Sequence, residues 1–273
     1  MKMLNRLRAP KSARSKSAKF AGDISRYHCC IQKTASQWFA GLFEDAEFQE
    51  LSGVTDVKRP GINFLRKDEQ TRAKLSTLPM GKLLTPVYIE YPDFLQHVAT
   101  GPWMAAAVVR DPRDIIVSGY FSILKSHDIH NEDMARRRKQ YQELGQDKGI
   151  SQQINDGVPY YEALRSWIPA LTENKVSVFR FEDVFGENHV DVVEDFFRAI
   201  GIFLNRDDLQ RLCDKHSFQS KTGRKPGEED QAKHYRKGIA GDWQNYLSAD
   251  QLLRMEELCG DVINAFGYSN MYT

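Results

Sequence analysis

A chain of 273 residues is long enough to bury a sizeable core, as one large domain or two small ones, and its 41% hydrophobic and 27% charged residues are those of an ordinary globular protein. The formal net charge of +1 excludes a whole-molecule basic field suited to nucleic acid, so no nucleic-acid partner is expected. No run approaches the ~18 consecutive apolar residues of a membrane span, and the protein reads as soluble and cytoplasmic, without a transmembrane segment.

Residues 1–20 carry seven Lys or Arg and no acid. They read as a disordered basic leader; contact with an anionic surface and an organellar transit peptide are the other readings. No apolar segment follows the charges, so a secretory signal is not expected. "RYHCCI" (Arg26–Ile31) predicts a short strand, and "SQWFAGLFEDAEF" after it has the spacing of a helix. Between them "QKTASQW" forms a turn from strand to helix, which aims backbone N–H groups and a positive dipole end at one point. Lys33 adds a mobile charge there, Thr34 and Ser36 add hydroxyls, and Trp38 offers a ring face to a base. The stretch lacks the G-x-x-x-x-G-K-[ST] spacing of a nucleotide-binding P-loop.

"LLTPVYIEYP" (Leu83–Pro92) predicts a strand around Val87–Glu90. "WMAAAVV" (Trp103–Val109) is a continuous apolar run that suits a strand buried on both faces, as in a parallel sheet. Asp111 is a natural N-cap and Pro112 a first helical residue for the helix that follows. Arg110 then stands at the carboxyl end of a buried strand, where open α/β sheets place their ligand crevice, and Ser118 lies within its reach along the helix. Together they can grip a phosphate; a salt-bridge cluster of Arg110, Asp111, Arg113 and Asp114 is the alternative.

Residues 127–160 are polar, with "ARRRKQ" at their centre, and predict exposed helix and loop. "NKVSVFRFED" (Asn174–Asp183) predicts a strand, and "HVDVVEDFFRAIG" (His189–Gly201) an amphipathic helix closed by glycine. A further helix is predicted near Asp207–His216. "GRKPGEEDQAKHYRKGIAG" reads as a flexible polar segment, in which Arg236, Lys237 and Gly238 can converge on a phosphate oxygen. A capped helix begins at Ser248. Strands alternating with helices predict a single α/β domain over 21–273 with a central, mainly parallel sheet flanked by helices. Cys29, Cys30, Cys213 and Cys259 show no metal-ligand spacing and read as reduced thiols, and no metal is expected.

In order and spacing, "QKTASQW", "RDPRDIIVSGY" and "RKGIAGDWQNYLS" resemble the 5′-phosphosulfate loop, the 3′-phosphate motif and the C-terminal R-K-G-x-x-G-D-W motif of the cytosolic-type sulfotransferases. "FRFEDV" and "KHSF" are similar to two further segments of that family, and the resemblance runs from about Tyr27 to Phe266. It implies a P-loop-like fold and transfer of a sulfuryl group from 3′-phosphoadenosine 5′-phosphosulfate (PAPS) to a hydroxyl or amine. The acceptor is left open among small hydroxylated molecules, lipids and glycans, with residues 127–160 and parts of 61–100 framing its pocket.

The resemblance further implies that Lys33 stabilises charge on the bridging oxygen. Thr34, Ala35, Ser36 and Gln37 line the 5′ side, with Trp38 against the adenine. Arg110 and Ser118 bind the 3′-phosphate with Arg236, Lys237 and Gly238, while Ser217 and Phe218 lie near the base. Three departures stand out. The family's usual catalytic histidine is replaced in register by Glu90, with His97 as the other candidate base. Ala35 replaces a glycine, and Gln37 a hydroxyl residue. A catalytically silent phosphonucleotide-binding protein on the same fold is the alternative; a P-loop kinase ranks below it.

Overall fold

The computed structural model describes residues 24–60, 63, 65, 78–126, 132–231, 233 and 235–269; the basic leader lies outside them. Five strands form one sheet: β1 (Ser25–Cys30), β2 (Val57–Lys58), β3 (Leu83–Tyr88), β4 (Trp103–Val109) and β5 (Ser177–Arg180). Their order is β2-β3-β1-β4-β5, and every neighbouring pair is parallel. The chain leaves β1 toward one edge and β4 toward the other, so order reverses between them. That reversal opens a crevice beyond the strands' carboxyl ends.

Alternation along the central strands divides the core. Tyr27, Cys29, Ala105, Ala107 and Val109 face one helical layer, with Ile115, Ile116, Tyr161, Trp167 and Val262. Ala106 and Val108 face the other, where Phe39, Phe43, Phe196 and Phe197 pack. His28 sits among those rings, its centroid 4.6 Å from that of Phe39, and burial drives its pKa down to about 3. It is therefore a neutral core residue. All four cysteines are free and buried.

The strand around Val87–Glu90 is corrected to Leu83–Tyr88. Pairing with β1 starts it at Leu83, opposite Arg26, and Glu90 instead occupies the N-cap position of the helix Tyr91–His97. The predicted strand Asn174–Asp183 shortens to Ser177–Arg180, because Phe181–Val184 turns into helix. The helix after β4 runs Pro112–Phe121, with the Asp111 carboxylate accepting the Arg113 N–H at 2.9 Å, and continues as a π-turn over Ser122–Ser126.

Of residues 127–160, the described part, 132–160, departs furthest from expectation. Helix spans Glu132–Asp156 but breaks at Gly145, whose φ of 74° and ψ of −179° end one segment and begin another. A continuous helix would hold residues sixteen apart at about 24 Å, yet Arg137 Nη2 donates to Gln153 Oε1 at 3.0 Å. The segment is thus a helical hairpin, with Tyr141, Ile150, Gln153 and Ile154 buried along its seam. Its polarity had concealed that seam.

Candidate functional site

The turn between β1 and the helix Ser36–Phe43 holds two non-glycine residues in the left-handed region, Lys33 at φ 72° and Ala35 at φ 63°. Such backbone costs of the order of 1 kcal/mol per residue and persists where surroundings over-determine it. The Thr34 hydroxyl supplies part of that constraint by donating to the Ile31 carbonyl at 2.7 Å. Lys33 Nζ donates to Ser122 Oγ at 2.6 Å, and the Ser36 and Tyr88 hydroxyls share a bond of 2.8 Å. Desolvation, with the Arg110 cation beside it, lowers the Lys33 pKa to about 8.

Arg110 emerges from β4 directly beneath this turn. Its Nη1 donates to the Lys33 carbonyl at 3.1 Å, its Nη2 lies 3.4 Å from Asp114 Oδ2, and its guanidinium stacks 4.0 Å from the Phe181 ring centroid. Arg110 Nε is buried without a partner among the described residues. Asp114 also accepts the Gly241 N–H at 2.7 Å and the Trp243 N–H at 3.0 Å. One buried carboxylate thereby ties Arg110 and the helix Pro112–Phe121 to the segment carrying Arg236, Lys237 and Gly238. Lys237 Nζ donates to Asp242 Oδ1 at 2.5 Å, Arg236 pairs with Asp242 as well, and Arg236 Nη1 reaches Glu229 at 2.6 Å.

Gly238 has φ 67°, and a Cβ there would stand 2.3 Å from the Phe218 ring. Only glycine lets backbone and ring approach so closely. Trp38 Nε1 donates to the His216 carbonyl at 2.8 Å, and its ring meets Phe185 edge-on at a centroid distance of 5.2 Å. Trp38, Phe181, Phe185 and Phe218 make an aromatic end to a cleft of about 1040 Å3.

Every expected donor-site position lines this cleft except Thr34, whose hydroxyl is turned into the loop. Lys33, Arg110, Ser118 and Arg236–Gly238, far apart in the chain, all line this one cleft. Glu90 and His97 do not line it. Both the Arg110–Asp114 and the Arg113–Asp111 ion pairs of the alternative reading exist, and Ser118 lines the cleft as well. Sequence reasoning gave Asp114 no organising role; its i+4 spacing from Arg110 was the available signal. Phe185 and Asp242 were likewise missed as site-forming residues, although Asp242 lies inside the "GDW" motif.

Behind Arg110, Glu182 Oε1 accepts the Asp111 N–H at 3.0 Å. Burial raises its pKa from 4.5 to about 7, against a lowering by Arg110 and by the Asp111 N–H it accepts, with the Asp111 charge adding a smaller rise. The folded state therefore holds this proton more tightly than the unfolded chain, and stability contributed by the protonated form is lost as pH rises from about 4.5 through 7. Glu182→Gln keeps an acceptor for Asp111 and removes the titration. Its melting temperature is expected to match wild type at pH 5 and exceed it at pH 8. A less stable variant at pH 8 would mean that the ionised carboxylate is a favourable partner of Arg110.

The family model for a sulfotransferase domain matches residues 105–267, more than half of the chain, including Arg110, Ser118, Ser217, Phe218 and Arg236–Gly238 but not the Lys33 turn. Sulfotransferase 2A1 of Macaca fascicularis is 24% identical over 160 residues, covering 55% of this chain and 53% of the relative. The chain therefore spans about half the length of such mammalian relatives. A flavonol sulfotransferase-like protein of Flaveria bidentis is 20% identical over 263 residues, covering 88% and 81%. Among solved structures, mouse sulfotransferase SULT7A1 complexed with PAP aligns with a TM-score of 0.60 at 17% identity, covering 92% of this chain and 89% of that one. Retinol dehydratase in complex with androsterone and inactive cofactor PAP aligns at 0.54 and 14% identity, covering 88% and 80%. At these identities the likeness concerns the fold.

Proposed function

Because the chain belongs to the sulfotransferase domain family, we propose that it moves a sulfuryl group from PAPS to an acceptor hydroxyl or amine. The observation that carries this reading is the convergence of Lys33, Arg110, Ser118 and Arg236–Gly238 on the lining of one cleft. The fit to a nucleotide bearing phosphates at both ends is chemical. Arg110 keeps a buried N–H without a partner among the described residues, the Lys33 ammonium has N–H groups beyond the one given to Ser122, and aromatic rings line the cleft for a base. Sulfuryl transfer requires an oriented acceptor, a proton acceptor and cations where leaving-group charge develops. In this assignment Lys33 holds the bridging oxygen, Arg110 and Ser118 grip the 3′-phosphate with Arg236 and Lys237, and Trp38 and Phe218 bracket the adenine. Glu90 is the proposed base, two residues beyond the cleft residue Tyr88 at the end of β3.

The test is metal-free calorimetric titration with adenosine 3′,5′-bisphosphate (PAP), followed by a turnover assay with PAPS. Saturable binding supports the reading; no binding by the wild type reduces it to a statement about fold. A pH series adds a signed expectation. Lys33 must be protonated to hold an anion, and the free protein loses that proton above about 8. A bound anion raises the pKa, so binding takes up a proton and affinity declines by as much as about tenfold per pH unit above that value. The phosphates are already dianionic there. Constant affinity from pH 7 to 9.5 would remove Lys33 from the anion site.

A catalytically silent phosphonucleotide-binding protein is the second reading, favoured by the position of Glu90 and His97 off the described cleft wall. PAP binding without PAPS turnover on any acceptor would select it. Glu90→Gln tests the base in the active case: kcat is expected to fall by about 10²–10⁴-fold with PAP affinity retained.

A further inference from the structure

The end of the cleft beyond Lys33 is walled by the helical hairpin, which contributes Asp133, Arg137 and Asp156, with Tyr160 following it in the chain. The hairpin is latched close to the transfer point. Arg138 Nε donates to the Ile123 carbonyl at 2.7 Å, and Ile123 follows Ser122, whose hydroxyl accepts Lys33. What this wall presents to an acceptor follows from which bonds its polar groups have already made.

Arg137 carries five N–H donors. Nη2 donates to the Tyr141 hydroxyl at 3.1 Å and to Gln153 Oε1 at 3.0 Å, and these bonds fix the guanidinium plane against the hairpin seam. Nε is buried with no hydrogen-bond partner among the described residues, lying 3.6 Å from Asp156 Oδ2 in an ion pair too long for a hydrogen bond. Asp156 accepts one bond on each oxygen, from Gln152 at 2.8 Å and Tyr141 at 2.9 Å, which leaves about half of a carboxylate's acceptor capacity. Arg137 Nη1, which makes no hydrogen bond among the described residues, and the open acceptor sites of Asp156 therefore belong to neighbouring side chains of the cleft lining, which Tyr160 shares.

We propose, on the footing of the sulfotransferase reading, that this end takes a polyhydroxylated head group, a sugar or polyol, held between Arg137 and Asp156. Adjacent hydroxyls both donate and accept, so one such group satisfies both side chains, while its C–H face packs on the tyrosine ring. A sterol or simple phenol, although suited to Leu65, Ile123 and Pro159, would offer no partners to the open donors of Arg137 and acceptor sites of Asp156. In the transfer one sugar oxygen bonds to sulfur as the bond from sulfur to the 5′-phosphate oxygen breaks. The electron pair leaves on that phosphate, giving PAP, and the hydroxyl proton passes to the Glu90 carboxylate.

The test uses the full chain and labelled PAPS with methyl and octyl β-glycosides of glucose, galactose, mannose and N-acetylglucosamine, against 1-octanol, 2-naphthol and dehydroepiandrosterone. A glycoside is expected to exceed the best apolar acceptor by at least about tenfold in kcat/KM. Methyl and octyl glycosides turned over alike identify a free sugar; a large octyl advantage identifies a glycolipid head group. Asp156→Asn is expected to raise the glycoside KM about tenfold or more, with unchanged PAP affinity as the control for a folded donor site. Apolar acceptors preferred, no glycoside sulfated by a PAP-binding protein, or an unaltered KM in the variant overturns this proposal alone. Failure of the wild type to bind PAP overturns the sulfotransferase reading beneath it.

Discussion

Lys33→Ala is expected to lower kcat/KM for sulfuryl transfer by about 10²–10³-fold, the usual consequence of removing one preorganised donor at a developing negative charge. The substitution is clean in this setting. Position 33 has φ 72°, strained alike for lysine and alanine, so the turn gains no new backbone penalty. Ser122 loses the donor 2.6 Å away, while Thr34 still pins the loop to Ile31. Removing a cation that is poorly solvated and beside Arg110 relieves unfavourable terms, so the melting temperature should not fall. Affinity for PAP, which lacks the sulfuryl group, is expected to weaken by less than turnover does. Parallel losses in PAP affinity and kcat/KM would make Lys33 only a binding cation, because a transition-state role must appear as a difference between the two.

Arg110→Ala should abolish the donor site more completely. Truncating one partner of a buried, hydrogen-bonded charge pair costs about 2–5 kcal/mol, so PAP affinity is expected to drop by about 30- to 5,000-fold. The residue is 9% exposed, and its side chain is stacked on Phe181 and bonded to the Lys33 carbonyl. Its loss also leaves Asp114 and Glu182 without the guanidinium that offsets them. Arg110→Lys should recover only part of the affinity, since a point charge cannot hold the carbonyl and a phosphate in one plane. Calorimetry with circular dichroism as a folding check decides the matter. Affinity within threefold of wild type in a folded Arg110→Ala protein would move the 3′-phosphate elsewhere.

Legibility was highest where local chemistry and tertiary role coincide. "WMAAAVV" is apolar on both faces because β4 is covered on both, and its strand bounds, Trp103–Val109, are those the run itself suggests. Asp111 and Pro112 begin the next helix as cap and first-turn residues do anywhere. The strand at Leu83–Tyr88 was harder, since Pro86 interrupts its pattern and its start is set by pairing with β1. The hairpin at 132–156 was hidden because its seam joins Arg137 and Tyr141 to Gln153 and Asp156, polar groups that look exposed until they bond to one another.

By itself the sequence determined the alternation of strands and helices, the family resemblance, and the residue types proposed to meet a doubly phosphorylated nucleotide. These follow from periodicity, capping and short motifs, which act within a few residues of chain. Only the tertiary structure decided that Asp114 fastens the Gly241–Trp243 backbone to the helix Pro112–Phe121, that Gly238 yields its side-chain space to Phe218, and that a folded-back hairpin walls the far end of the cleft. Those are contacts between segments up to 129 residues apart. Their partners are chosen by how the sheet orders its strands and brings carboxyl ends together, a geometry that no local pattern encodes.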